Sequence, residues 1–151
     1  MIDDSARGVT SNITRVKMRR DITPELNTFA TYELCYGNAF YEQPNGYGVR
    51  SSGFTVSGID GVLYLGDIPT SGTTVGKLVF FKLVNNIPLI VKNDAGTVDY
   101  LHGEINLDVV NITGAMLESG LIEVEAIPDS NDIIALKDLY LQLDVSNSTV
   151  K

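Results

Sequence analysis

The sequence predicts an all-β domain, an antiparallel sandwich or barrel-like fold of roughly ten short strands with hairpin connections and little helix. Two observations lead to this fold class. Apolar and polar residues alternate over short segments, which is the period of a half-buried strand. Gly, Asn, Asp or Pro residues end these segments at short intervals, whereas amphipathic helical patterns are scarce. We expect residues 1–144 to form a single β-rich domain and residues 145–151 to form a flexible C-terminal tail.

The first two strand candidates, residues 12–20 and 28–40, are predicted to form a long hairpin. Residues 23–27 between them have the composition of a turn. Because side chains alternate along a strand, the first candidate should carry its cations on one face and its apolar residues on the other. The cations are Arg15, Lys17 and Arg19.

Two further hairpins are predicted in the middle of the chain. Residues 54–56 and 62–65 flank a turn at 59–61. Residues 77–84 and 87–92 flank Asn85 and Asn86, a pair that tolerates the positive φ of a two-residue hairpin turn. Pro88 lacks an amide proton, so its strand is expected at a sheet edge or to begin late.

Turns and strands alternate to the end of the chain. Residues 93–96 are expected to turn the chain into a strand at 97–100, and His102 and Gly103 to turn it again into residues 105–109, which alternate cleanly. The remaining predictions are a loop or helical turn at 115–119, strands at 121–127 and 139–144, and a corner at 128–132. Pro128 ends the strand before this corner, and the short polar side chains after it can bond to nearby backbone.

Charge and reactive residues limit the function classes. The net charge is -8, yet residues 1–20 carry five basic against two acidic residues, and residues 93–144 carry eleven acidic against one basic. This distribution disfavours nucleic acid and suits association between protein subunits. No apolar run approaches the roughly 18 residues that a membrane helix needs. The acidic N-terminus does not have the pattern of an export signal.

The chain offers few groups for catalysis or metal binding. Its single histidine, His102, lies in a predicted turn, and its single cysteine, Cys35, is expected to be a buried structural thiol. These two residues are too few for a zinc site. Asn93, Asp94 and Asp99 bracket a glycine and could bind calcium, although their spacing departs from that of an EF-hand loop. We expect no cofactor and no enzymatic activity.

The tyrosines leave a choice open. Tyr32, Tyr36, Tyr41 and Tyr47 could stack on bases or sugars, or could form cross-strand pairs within the sheet, which is the more common arrangement. The loop at residues 43–48, which contains Tyr47, lacks the third glycine and the following helix of a phosphate-binding loop.

Three stretches resemble one known family. Residues 125–136 with 139–144, residues 8–20 leading to 31–34, and residues 96–105 are similar to the C-terminal region of the large baseplate wedge subunit of T-even-like contractile-tailed bacteriophages. The resemblance implies a structural protein of the virion, assembled in the host cytoplasm, that has no catalytic residues. It implies association with itself, as a homodimer or larger oligomer, and with other baseplate wedge proteins.

Three hypotheses follow from the sequence. In the first, the chain is an assembly domain of a phage tail baseplate wedge. Its candidate interface residues are Arg15, Lys17, Arg19, Tyr32, Tyr36, Asp129 and Asp132. The alternative is a ligand-binding β module without catalysis, for example one that binds a glycan through the tyrosines and residues 45–48. The third hypothesis is a hydrolase that uses dispersed carboxylates, for example Asp99, Asp129 and Asp132.

Overall fold

A computed structural model describes residues 15–129 and 139–144, which form ten β-strands and contain no helix. The all-β fold class is therefore confirmed. The strands are β1 (Arg15–Ile22), β2 (Phe29–Cys35), β3 (Val49–Ser51), β4 (Phe54–Val56), β5 (Ile59–Pro69), β6 (Val75–Val84), β7 (Ile87–Asp99), β8 (Glu104–Ala115), β9 (Ile122–Ala126) and β10 (Tyr140–Asp144). None of the described segments is a helix that could span a membrane.

Two antiparallel sheets contain all ten strands. The smaller sheet has the order β10-β1-β9-β3. The larger sheet has the order β2-β8-β4-β5-β6-β7, and an additional pairing of β7 with β8 closes strands β4 to β8 into a five-stranded, barrel-like sheet. Closure of this kind removes free edges where β7 and β8 pair, from Gly96 to Asp99.

One hydrophobic core joins the two sheets. Met18 and Val124 of the smaller sheet are buried in the same cluster as Leu63 and Phe80 of the larger one. Tyr36, which follows β2, is completely buried there, and its hydroxyl donates a hydrogen bond to the carbonyl of Val124 (2.7 Å). This bond satisfies the only polar atom that the Tyr36 side chain brings into the core.

The hairpins predicted around local turns are confirmed. Asn85 and Asn86 connect β6 to β7 with φ angles of 54° and 64°, as a two-residue hairpin turn requires. β4 pairs with β5, although the turn lies at residues 57–58, where Gly58 has a positive φ, and not at 59–61. β7 pairs with β8 only from Gly96 onward, so Pro88 lies in the part of β7 that has one strand neighbour, as an edge position requires.

The predicted hairpin of β1 with β2 is wrong. β1 pairs with β9 and β10, whereas β2 pairs with β8 in the other sheet. The turn composition of residues 23–27 marks a crossing between sheets, and Asn27 there has a φ of 59°. β9 is the better partner for β1 because its outward-facing residues are glutamates, which lie beside the cations of β1.

The turn predicted at residues 93–96 is also wrong. β7 continues through it, and only the pairing with β6 becomes irregular, between Leu78 and Phe81. The next predicted turn is confirmed, because Gly103 has a φ of 68° and donates its amide to the carbonyl of Asp99 (2.9 Å). Residues 116–120 form a bend and a turn, without a helix.

A β-bulge changes the face on which Val109 lies. The register shifts by one residue between Ala30, opposite Val110, and Tyr32, opposite Leu107. Two residues of β8, Asp108 and Val109, therefore oppose a single residue of β2, and both are exposed. Strict alternation would place Val109 on the buried face with Leu107, so the bulge is the reason that it faces outward.

Some of the sequence predictions lie partly or wholly outside the described residues. The corner at 128–132 is described as far as Asp129, where Pro128 forms an isolated bridge with Phe40 and the amide of Asp129 donates to the carbonyl of Ala39 (2.9 Å). The tail predicted at residues 145–151 lies wholly outside them.

Candidate functional site

A polar trough crosses the outer face of the smaller sheet, between the sheet surface and the loop at residues 43–48. It consists of two hollows of about 350 and 360 Å³ that share Lys17, Arg50 and Glu125 in their walls. The loop residues Gln43, Asn45 and Tyr47 line the first hollow, and Ser51, Ser52 and Glu123 line the second. Both volumes fall within the range of about 300 to 1,000 Å³ that is typical of small-molecule sites.

Strand register places the charged groups of the trough. One row of Cα partners crosses β10, β1, β9 and β3, and it consists of Tyr140, Arg19, Glu125 and Arg50 in that order. Lys17 Nζ lies 3.8 Å from a carboxylate oxygen of Glu125, and Arg19 Nη1 lies 3.5 Å from one of Glu123. The Arg19 guanidinium also lies 4.4 Å from the centroid of the Tyr140 ring. Acidic and basic groups therefore alternate across this face.

Arg50 has a different environment from the other cations of the face. It is exposed, and its guanidinium carbon lies 5.9 Å from the centroid of the Tyr47 ring, within cation–π distance. No ion pair joins Arg50 to any acidic residue in the parts of the chain that the structure describes. Arg50 lines both hollows, and its guanidinium carries five N–H donors.

The loop at residues 43–48 is held in place by Asp67, a fully buried residue of β5. Asp67 accepts hydrogen bonds from the amide of Val49 (2.7 Å) and from the hydroxyl of Tyr100 (2.5 Å) through its carboxylate. Its backbone carbonyl accepts the amide of Tyr47 (2.8 Å). Two bonds to one residue, from Tyr47 and from Val49, therefore hold the end of the loop against the barrel-like sheet.

Burial decides the protonation behaviour of Asp67 and Tyr100. Removal from water raises the pKa of the Asp67 carboxyl above its ordinary value of 3.8, although the hydrogen bonds from Tyr100 and Val49 oppose that shift. Burial also raises the pKa of Tyr100, and the adjacent Asp67 carboxylate raises it further. The Tyr100 hydroxyl is therefore a stable donor at neutral pH.

Tyr47 adopts a backbone conformation that is uncommon for a bulky residue. Its φ is 64°, and its ring packs edge-on against Phe81, with centroids 5.1 Å apart. Left-handed backbone of this kind is unfavourable for non-glycine residues and persists where the surroundings hold it. Gly46, with a φ of 81°, precedes it, and a Cβ there would overlap the carbonyl oxygen of Asp67.

A second surface feature is an apolar patch where β2 meets the bulge of β8. Phe29 is 70% exposed and Val109 is 62% exposed. Phe29 lies opposite Asn111, two residues from Val109, so the two side chains share one face of the sheet as diagonal neighbours. β2 pairs only with β8 among the described strands, so the patch lies beside a sheet edge.

The structure separates the candidate interface residues that the sequence suggested. Lys17 and Arg19 share the outer face of β1, as predicted, but they pair with glutamates of β9. Arg15 is the Cα partner of Asp144 on β10. Tyr32 packs against the core, and its hydroxyl accepts the amide proton of Glu25 (2.9 Å). Tyr36 does not contribute to a surface, because it is wholly buried.

The acidic candidates are not brought together. Asp129 is exposed and lines a small hollow of about 160 Å³ with Phe40 and Tyr100, whereas Asp132 lies outside the described residues. Asp99 pairs with His102, whose Nδ1 is 2.8 Å from the Asp99 carboxylate. Across residues 15–129 and 139–144, no three His, Cys, Asp or Glu side chains are grouped in a way that could hold a metal ion.

Cys35 is exposed, which corrects the prediction of a buried thiol. It lies on the outer face of β2, because its neighbours Leu34 and Tyr36 take the buried positions. Partial desolvation of the sulfur raises the pKa of the thiol, and the carboxylates of Glu33 and Glu104 raise it further. The protonated form is therefore favoured, which is the less nucleophilic form.

Sequence reasoning identified the loop of the trough but missed Arg50. The glycines, asparagine and proline of residues 43–48 are a local signal for a loop. A single arginine between Val49 and Ser51 carries no such signal. Its position opposite Glu125, 75 positions later in the chain, follows from sheet pairing. The apolar patch was missed because the bulge that exposes Val109 has no signature in the sequence.

The chain was compared with known proteins in three ways. No protein-family model, no curated protein and no solved structure matches it.

Proposed function

We propose that this chain is a non-enzymatic assembly domain of a phage tail baseplate wedge, which binds neighbouring wedge subunits and is located in the virion. The resemblance of three stretches to the large wedge subunit supports the phage context. The apolar patch at Phe29 and Val109 is the observation that supports docking. Two large apolar side chains, each more than half exposed, favour contact with another protein surface.

The position of the patch is also suitable for docking. Phe29 belongs to β2, whose second edge has no strand neighbour among the described residues. Part of this edge is occupied, because Arg20 of β1 donates a hydrogen bond to the carbonyl of Cys35 (2.8 Å). The end of β2 that carries Phe29 is therefore the more accessible end, and a partner there would bury both apolar side chains.

Co-purification with candidate wedge proteins and analytical ultracentrifugation test this proposal. We expect the wild type to associate, and the double substitution of Phe29→Ser and Val109→Ser to weaken association at least about tenfold, since buried aromatic anchors dominate interface energies. Leu101→Ser is the matched control, because Leu101 is 60% exposed and lies in the turn between β7 and β8. A wild type that stays monomeric at high concentration and binds no wedge protein would overturn the proposal.

A second candidate function is a ligand-binding β module without catalysis, and the polar trough favours it. The loop at residues 43–48 lines one hollow of the trough together with groups from three strands. A glycan array tests this function, which predicts at least one class of bound glycan.

A further inference from the structure

We propose that the polar trough binds a saccharide that carries a carboxylate, with Arg50 binding the acid and the loop at residues 43–48 binding hydroxyl groups. This inference rests on the second proposed function, binding by a non-catalytic β module, and it specifies the site and the class of ligand.

The acid-binding group is Arg50. A guanidinium binds a carboxylate through two parallel N–H donors, which gives both strength and orientation. Arg50 has no ion-pair partner in the described part of the chain, whereas Lys17 and Arg19 on the same face lie beside Glu125 and Glu123. A carboxylate at the junction of the hollows would therefore meet an available guanidinium.

The hydroxyl-binding groups lie on the loop. Gln43 and Asn45 line the first hollow, and no hydrogen bond joins either side-chain amide to another group among the described residues. Each amide offers a donor and an acceptor in one plane, which matches the paired donor and acceptor character of neighbouring sugar hydroxyls. The Glu125 carboxylate, which lines both hollows, adds an acceptor.

The loop is organised before any ligand binds. The bonds from Tyr47 and Val49 to Asp67 fix its second half, and the amide of Gly46 donates to the carbonyl of Gln43 (2.9 Å). A loop that is already ordered loses little conformational entropy on binding. The strained backbone of Tyr47 is consistent with this role, because such conformations concentrate at binding sites.

Shape and charge limit the ligand further. Two hollows of similar volume with a shared wall fit two linked sugar units, with the acid at their junction. Glu123 and Glu125 would repel a polyanion, so nucleic acid is disfavoured even though Arg50 and Lys17 are present. A ligand with one carboxylate and many hydroxyl groups is complementary to a trough in which acidic and basic groups alternate.

The test is a glycan array that presents glycans ending in uronic or sialic acids beside their neutral counterparts, followed by calorimetric titration of the bound glycans. We expect acidic glycans to bind at least about tenfold more tightly than neutral ones. Arg50→Ala should remove this preference, and Arg50→Lys should restore only part of it, because lysine keeps the charge and loses the two-donor geometry. The double substitution of Gln43→Ala and Asn45→Ala should weaken the binding of acidic and neutral glycans by the same factor.

The control is Lys92→Ala, which removes an exposed cation of β7 outside the trough and should leave binding unchanged. If acidic glycans bind and Arg50→Ala binds them equally well, the site is wrong although the chain is still a glycan-binding module. If neutral glycans bind as tightly as acidic ones, the assignment of a carboxylate is wrong. If no glycan binds at millimolar concentration, both this inference and the second proposed function are overturned.

Discussion

Asp67 is the only charged residue among those described that is fully buried, and it accepts hydrogen bonds from a backbone amide and from a tyrosine hydroxyl. Asp67→Ala should destabilise the fold by about 3 kcal/mol, because the Val49 amide and the Tyr100 hydroxyl would both lose their acceptor. Asp67→Asn keeps an acceptor oxygen for Val49 and should cost much less. Urea denaturation measures the free energy of unfolding of each variant. An equal loss of stability in Asp67→Ala and Asp67→Asn would contradict this explanation.

The pair of Asp99 and His102 is an exposed pH-sensitive contact. The hydrogen bond and charge of Asp99 raise the pKa of His102 above 6.5, and His102 in turn lowers the pKa of Asp99 below 3.8. Since the folded-state pKa of His102 is raised, its contribution to stability is complete below about pH 6.5 and is lost as the pH rises through the raised value. The contribution of Asp99 is lost as the pH falls through its lowered value.

We therefore expect the NMR titration midpoint of the single histidine to lie above 6.5 in the wild type and to move towards 6.5 in Asp99→Asn. Asp108→Asn, an exposed carboxylate on β8, is the control and should leave the midpoint unchanged. A wild-type midpoint at or below 6.5 would show that the pair does not form in solution.

At the scale of elements, the sequence predicted what depends on local chemistry. Asn85 and Asn86 specify a hairpin because positive φ at both positions is intrinsic to that turn. The hairpin of β4 and β5 was predicted with its turn at residues 59–61, two residues after the turn that contains Gly58. The pairing of β1 with β9 depends on side chains about a hundred positions apart, which alternation cannot identify. The trough could be predicted only in part. Its loop is contiguous in the sequence and has local turn signals, whereas its walls come from three strands whose pairing the sequence does not reveal.

Gly96 allows β7 and β8 to approach closely enough to pair, and this pairing closes the barrel-like sheet. It pairs with Leu107 at the start of the contact between β7 and β8, and a Cβ there would overlap the carbonyl oxygen of Asn106. Gly96→Ala should therefore destabilise the fold by about 2 to 3 kcal/mol through overpacking and separation of the strands.

Gly72→Ala is the control for backbone conformation in this experiment. Gly96 has a φ of 155° and Gly72 a φ of 78°, both positive, but a Cβ at Gly72 would meet no atom within 4 Å. Its substitution should cost only about 1 kcal/mol, the penalty of left-handed backbone. Thermal unfolding compares the two variants, and similar losses would mean that conformation, and not the approach of β8, explains why glycine occupies position 96.

At the scale of the whole molecule, the uneven charge of the sequence has an internal explanation. The basic segment that includes β1 and the acidic segment that includes β9 lie side by side in one sheet, so part of their opposite charge is compensated within the chain. The sequence alone suggested that this separation of charge serves association with other subunits. The structure shows that Lys17 and Arg19 have acidic partners in their own chain, so we assign the proposed docking to the apolar patch.

Glu125 is the centre of this compensation, since Arg19 and Arg50 are its Cα partners on the two neighbouring strands and Lys17 is 3.8 Å away. Glu125→Lys should destabilise the fold by about 1 kcal/mol at low ionic strength, because like charges directly opposite one another in a sheet repel. The loss should shrink in 1 M salt, where screening extends to about 3 Å.

Glu118→Lys separates this local effect from the effect of net charge. Glu118 is exposed in the turn before β9, and its substitution changes the net charge of -8 by the same amount as Glu125→Lys. Both variants bring the chain closer to neutrality, which on its own would reduce self-repulsion and stabilise the compact state. Chemical denaturation in low and high salt should therefore show a salt-dependent loss for Glu125→Lys and none for Glu118→Lys. Equal behaviour of the two variants would mean that the contacts across β1, β9 and β3 do not stabilise the sheet.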